Sequence, residues 1–243
     1  MIFNAHPSLD WGKSSFTGRP PVLKIEARDV GGGKLAGITT VFGKEFDTTG
    51  LLGVSSSPTG TPNDVAFPHW ITIPADYSLS EARLWHFLFA WLFVINGLTY
   101  VFYAAKSRHL NKDLLPTSND WRTIGRSILD HLKFKHPQGE DAKRYNVLQK
   151  LAYLTVIFVL LPLVILMGWA MSPWLNSFFP GWVDLFGGRQ SARTLHFIVA
   201  WLLVGFIVIH VFEVIISGLW NHLRSMITGN YRINVQQATD KEL

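Results

Sequence analysis

Cysteine is absent from the 243 residues. That excludes disulfides, cysteine-ligated iron–sulfur clusters, thioether-attached haem and thiolate-ligated haem in one step. Any redox metal must be held by nitrogen or oxygen, and nine histidines are available. Charge is scarce too: 16% of the residues are Asp, Glu, Lys or Arg, against about 25% in a soluble domain. No cleavable leader is expected, because Met1-Ile-Phe-Asn-Ala-His-Pro7 has neither a basic start nor a long apolar core. No internal repeat stands out.

What the chain has instead is apolar bulk. Hydrophobic residues make up 48%, with ten Trp and 17 Phe, and the mean hydropathy is +0.20. Three long apolar runs cover residues 84–105, 151–171 and 194–220. Each reaches the roughly 20 residues needed to cross a bilayer core. The fold class predicted is an all-α membrane protein. Residues 1–80 are polar and rich in Gly and Pro, and read as a loop-rich extramembrane segment with short strands such as Ile38–Phe42. Residues 81–233 form the membrane domain and residues 234–243 a C-terminal tail. Pro162 is expected to kink the second span, which membrane helices tolerate.

Charge placement sets the expected topology. The net charge of +5 could suggest a nucleic-acid partner, but the cations are not spread evenly. Residues 106–150 carry ten Lys/Arg against five Asp/Glu, whereas the only cations in residues 172–193 are Arg189 and Arg193. The basic loop should be cytoplasmic by the positive-inside rule. Residues 1–80 and 172–193 then lie outside, and the C-terminus, with Arg224 and Arg232, inside. No nucleic-acid partner is expected. Within the basic loop, Trp121, Ile124, Ile128, Leu129 and Leu132 fall at helical spacing, flanked by Arg122, Arg126, Lys133 and Lys135. This is an amphipathic helix, lying on the anionic inner surface or packed on the spans.

Polar groups inside a bilayer are costly and usually face a bundle interior. Three histidines sit in the apolar runs: His86, His196 and His210. His86 is near the outer end of the first run and His196 near the outer end of the third. Their similar depth allows two packed helices to clamp one iron, the way bundle metal sites are built. His210 follows His196 by 14 residues, almost four turns, on nearly the same face and about 21 Å further along the axis. Two haems stacked across the bilayer need such an offset. Arg83-Leu-Trp-His86 and Arg193-Thr-Leu-His196 share an Arg-x-x-His pattern, placing a cation one turn closer to water on each helix. Arg suits a haem propionate, although both could be interface anchors that snorkel to water. Gly97, Gly168 and Gly205 could let a flat macrocycle approach. Glu213, one turn beyond His210, could exchange protons with a quinone or pair with Arg224. Asn96 is a candidate buried hydrogen-bonding residue. His6, His69, His109, His131, His136 and His222 lie outside the runs or at their edges and are not placed among the ligands.

The chain resembles the bacterial cytochrome b561 / nickel-hydrogenase cytochrome b-subunit family, near the thiosulfate reductase and formate dehydrogenase cytochrome b subunits. The stretches that carry the likeness are Asn4-Ala-His-Pro7, Leu84-Trp-His-Phe87, Arg144-Tyr-Asn-Val-Leu-Gln-Lys150, Gly187-Gly-Arg-Gln-Ser-Ala-Arg-Thr-Leu-His196 and Ser225-Met-Ile-Thr-Gly229. The resemblance implies a four-helix di-haem bundle, of which three helices are present here. It implies that His86 and His196 hold one haem b. It further implies that His210 holds a second, with a histidine on a first helix that these residues do not contain.

The function expected is electron transfer. Two axial histidines fill the iron's coordination sphere and leave no open position for a substrate. Electrons would pass between an extracytoplasmic redox partner, haem b and a membrane quinone in the bacterial inner (cytoplasmic) membrane. The resemblance implies a molybdenum oxidoreductase or hydrogenase-type subunit as partner. The alternatives are a non-haem membrane anchor of an oxidoreductase and a transporter with a proton relay through His210 and Glu213. The absence of a broken-helix pair argues against the transporter.

Overall fold

The computed structural model describes residues 7–13, 20–57, 59–72, 78–107, 110, 114–133 and 146–230, with the side chains of His131, Leu132 and His222 left aside. Asn4, His6, His109, Lys135, His136, Arg144, Tyr145 and Arg232 therefore lie outside the described residues. The chain forms two compact units, Met1–Gly97 with Val164–Ile198, and Leu98–Leu163 with Val199–Leu243.

The first unit opens with more β-structure than the short strands expected in a loop-rich segment; the one named, Ile38–Phe42, falls largely within a strand. Strands β1 (Ser8–Leu9), β2 (Leu23–Asp29), β3 (Leu35–Val41) and β4 (Lys44–Asp47) form an antiparallel sheet in that order. Its register pairs Ile25 with Thr39 and Thr39 with Phe46. A second, two-stranded sheet joins β5 (Val54–Ser56) and β6 (Pro62–Asp64). Alternation explains why the strands form: Ile25 and Thr39 are buried, while Glu26 and Arg28 point the other way into an ion-paired surface network with Glu45. The Gly and Pro content that read as loop supplies the tight turns between short strands.

Three helices are long and apolar enough to cross a membrane: Leu79–Lys106, Val147–Ala170 and Arg189–Ile216. Each starts earlier than its apolar run because polar caps extend it outward. The second begins at a capping box, in which the Asn146 side chain accepts from the Leu148 amide and Gln149 Oε1 accepts from the Asn146 amide. It consists of α3 (Val147–Thr155), a π turn (Val156–Leu160) and α4 (Leu161–Ala170). The π turn is how this helix accommodates Pro162. Proline has no amide hydrogen and clashes with the carbonyl four residues back. The Leu161 amide instead reaches five residues back to Val156 O, widening the ladder just before the ring. The first helix is α1 (Leu79–Lys106) and the third α6 (Arg189–Ile216). Large apolar side chains on them, such as Leu84, Phe102, Val208 and Ile209, are more than half exposed. Such surface is stable only against lipid or another apolar partner.

The N-terminus of α6 is built into the sheet. A helix begins with amide groups that have no intrahelical acceptor. Here the Gln190 and Ser191 amides both donate to the Gly12 carbonyl, at 3.1 and 3.2 Å. The Gly12 amide donates back to Ser191 Oγ at 2.8 Å. Gln190 Nε2 donates to the Ser8 carbonyl at 3.0 Å, and the fully buried Thr194 hydroxyl donates to the Asp10 carbonyl at 2.6 Å. One turn on, Phe197 packs against the core of the sheet, formed by Ile25, Ala66 and Phe67 with Leu52 and Ile71.

In the second unit, the amphipathic helix predicted within the basic loop is α2 (Ser118–Leu132). Its N-terminus is capped by Thr117, whose hydroxyl accepts from the Asp120 amide. Asp120 in turn accepts from the Thr117 amide and from Lys150 Nζ at 2.8 Å, tying α2 to the start of α3. Trp121, Ile128 and Leu129 remain exposed on α2. The described residues also include the short helices α5 (Pro173–Phe178), in the first unit, and α7 (Leu219–Thr228), in the second, with 3-10 turns at His69–Ile71 and Trp182–Phe186 in the first unit.

Two outcomes are expected from this architecture. Gly188 has φ of +106°, and a Cβ there would lie 2.6 Å from Lys13 Cα and 2.8 Å from Gly12 O. Gly188→Ala should therefore loosen the sheet from α6 at a cost on the order of 1–3 kcal/mol, read as faster limited proteolysis within residues 20–57. The Lys150 ammonium, then the Thr117 amide, hold the Asp120 carboxyl below its ordinary value of 3.8. A depressed carboxyl stabilises the fold above its ordinary value, and that contribution fades as pH falls from there through the lower folded value. Proteolysis around α2 should rise as pH drops below about 4, and Asp120→Asn should be as susceptible at pH 7 as wild type is in acid.

Candidate functional site

The first unit brings the rings of His86 on α1 and His196 on α6 together in an edge-on contact. Their ring centres are 6.0 Å apart and the planes meet at 73°. Both rings are half-buried among apolar neighbours. The sequence had matched them only by depth; the structure matches them by contact.

One nitrogen of His196 is already committed. Its Nδ1 lies 2.9 Å from the Val164 carbonyl on α4. A carbonyl only accepts, so Nδ1 carries the hydrogen and Nε2 keeps its lone pair. Metal-bound histidines are oriented by this kind of outer hydrogen bond. Gly168, one turn after Val164 on α4, backs the same ring: a Cβ there would sit 3.4 Å from His196 Cε1 and 3.7 Å from Nδ1. Gly168 thus backs the imidazole closely. Beside Gly97 and Gly205 nothing lies within 4 Å of such a Cβ, so open space is present there.

The pair can be tested against an iron centre. A metal–imidazole bond is about 2 Å, and a ring nitrogen is about 1 Å from its ring centre, so two imidazoles on opposite sides of one metal have centres about 6 Å apart. The observed 6.0 Å fits. Among the described residues no cluster of three or more His, Cys, Asp or Glu is placed to hold a bare metal ion. A pair that supplies two axial nitrogens suits a metal whose other positions are filled by a macrocycle.

The remaining candidates are placed as follows. Arg83 and Arg193 are exposed and make no ion pair among the described residues. In the second unit, His210 is half-buried in an aromatic group, stacked on Phe206 at 5.7 Å and edge-on to Tyr153 at 6.2 Å. Among the described residues the ring contacts of His210 are aromatic and include no second histidine. Glu213 is half-buried, and its carbonyl accepts from the Ser217 hydroxyl at 2.6 Å. Asn96 is exposed. His69 accounts for itself structurally, with Nδ1 2.7 Å from the Ser56 carbonyl. Sequence reasoning missed Val164, because a backbone carbonyl has no residue signature. It also missed the contacts of Ser8, Asp10 and Gly12 with α6.

A membrane protein with three spanning-length helices and two imidazoles held side by side fits the class of helical membrane cytochromes. The family of prokaryotic cytochrome b561 matches residues 48–229, well over half of the chain. The chain belongs to that family, in agreement with the resemblance its residues suggested. It is 36% identical over 133 residues to the “Putative protein-methionine-sulfoxide reductase subunit YedZ1” of Azospira oryzae, a match covering 55% of this chain and 64% of that protein. It is 26% identical over 169 residues to the “Probable Ni/Fe-hydrogenase B-type cytochrome subunit” of Cupriavidus necator, covering 64% of this chain and 69% of that protein. No solved structure matches. The chain is a multi-pass membrane protein of a b-type cytochrome family, and the family implies haem b as its cofactor.

Gly168→Ala should be tolerated, since its single methyl meets the His196 ring at contact distance. Gly168→Val adds two branches against that ring and should lower haem retention about tenfold, within the range seen when groups that orient a ligand are disturbed. Haem per protein after purification measures both.

Proposed function

We propose that this chain exchanges electrons between an extracytoplasmic redox partner and the membrane quinone pool, with His86 and His196 as the axial ligands of one haem b. The pairing of the two imidazoles at 6.0 Å carries the reading. Bound haem supplies a one-electron iron couple. His196 Nδ1 donates to Val164, which keeps Nε2 as the ligand atom and fixes the ring plane. Arg83 and Arg193, exposed one turn before each histidine, offer their guanidinium groups to the propionates. Two axial ligands close the iron to substrate, so these residues serve transfer and not bond-making.

His210 is the ligand of a second haem whose other ligand is not among the described residues. Glu213, one turn on, exchanges protons with a quinone. The chain sits in the bacterial inner membrane. Residues 1–80 and 172–193 lie outside and dock the partner, and the C-terminus is cytoplasmic, as the ten cations of residues 106–150 support. The two relatives are named as subunits of a methionine-sulfoxide reductase and of a hydrogenase. Those names support a periplasmic oxidoreductase, of molybdenum or hydrogenase type, as the partner here.

The test is a reduced-minus-oxidised spectrum of the membrane protein expressed with haem supplied. Wild type should show b-type bands from low-spin iron. His86→Ala and His196→Ala should each remove the contribution of this site. Undiminished bands in both variants would leave these histidines without the role.

A further inference from the structure

We propose that Thr194 is a positioning residue for His196, held from outside the helix by the backbone of Asp10. This rests on His196 being a haem ligand. A threonine inside a helix commonly turns its hydroxyl to the carbonyl one turn back. Thr194 points away from its own helix. It is fully buried, and its Oγ1 donates to the Asp10 carbonyl at 2.6 Å, two residues before His196. The neighbouring bonds on the segment Ser8–Gly12 come from Gln190 and Ser191, one turn earlier on the same helix. Phe197, just after His196, is packed into the core of the sheet. The anchors therefore bracket the histidine in sequence.

What they fix is the rotation of α6 about its axis. An imidazole on a helix lies about 6 Å from the axis, so a turn of only about 10° moves it about 1 Å. A pre-organised site tolerates about 0.5 Å. The bond from His196 Nδ1 to Val164 sets the ring's own torsion, but it cannot hold the ring in place if the helix beneath it turns. Thr194, bonded to the Asp10 carbonyl, acts on His196 through the helix they share. The extramembrane sheet is in this way part of the ligand geometry, and the 73° between the two imidazole planes is its product.

The experiment uses the full chain in its membrane with haem supplied. It compares wild type, Thr194→Val and Thr194→Ser. The readouts are the highest g value of the oxidised low-spin haem, its midpoint potential and the rate of haem release. Valine keeps the shape and removes the donor. It should shift the g value and the potential and release haem about tenfold faster, as expected for residues that orient a ligand. Serine keeps the donor and should match wild type on all three. If Thr194→Val does not accumulate, Thr194→Cys, a weak donor, is read the same way. Unchanged g value, potential and release in the variant lacking a strong donor, or equal changes in Thr194→Ser, overturn the proposal. A wild-type protein without a low-spin bis-imidazole signal, or a His196→Ala variant that keeps it, instead removes the haem-ligand reading itself.

Discussion

The start of a helix leaves amide hydrogens that nothing inside the helix can accept. In α6 the acceptor comes from the far end of the chain: the Gly12 carbonyl takes the amides of Gln190 and Ser191. The approach is close enough that Gly188 cannot carry a Cβ without striking Gly12 and Lys13. Around this contact the polar N-terminal sheet and the histidine-bearing helix become one compact unit. Buried backbone groups demand partners, and an unmet one costs about 1–3 kcal/mol. The bonds through Ser8, Asp10 and Gly12 therefore act as a set, and Phe197 closes the apolar seam beneath them.

The same accounting runs through the spanning helices. In lipid every backbone polar group must find its partner within the protein. Pro162 removes one donor from the second span, and the π turn before it re-routes the Leu161 amide to Val156. Asn146 with Gln149, and Thr117 with Asp120, satisfy helix starts with their own side chains. Among the described residues, α6 is the helix whose first amides are taken by a carbonyl from a segment far away in the chain, and α6 carries both His196 and His210. The helix that carries both of these histidines is thus clamped at its start from outside.

At the site the chemistry depends on few groups. His196 is oriented by a backbone carbonyl and backed by a glycine, while His86 meets it across a gap of the size an iron with two axial imidazoles requires. The second unit gives His210 a different setting, aromatic on two sides. Membership of the prokaryotic cytochrome b561 family makes haem b the natural occupant of such a protein. The absence of cysteine had already pointed to nitrogen ligation.

Composition and spacing alone determined that the chain spans a membrane, where its three apolar helices run, and which histidines share a depth. Those properties are local or periodic: apolar length, charge asymmetry and a 3.6-residue repeat are all written along the chain. The amphipathic α2 was legible for the same reason. The capping box that moves the second span's start to Val147 was equally present in Asn146 and Gln149, but the apolar run hid it. Tertiary structure decided the rest. It made a paired β-sheet of a segment that read mostly as loop with a few short strands, because short strands become sheet only through their pairing. It assigned Gly168 to the His196 ring and Val164 to its nitrogen, and it joined Ser8–Gly12 to α6. Two of the hydrogen bonds among them join a side chain to a backbone carbonyl 32 or 184 residues away, and a carbonyl is a group that every residue carries. Nothing in the one-dimensional pattern distinguishes the carbonyl that will be used, so the histidines could be named from sequence but not what holds them in place.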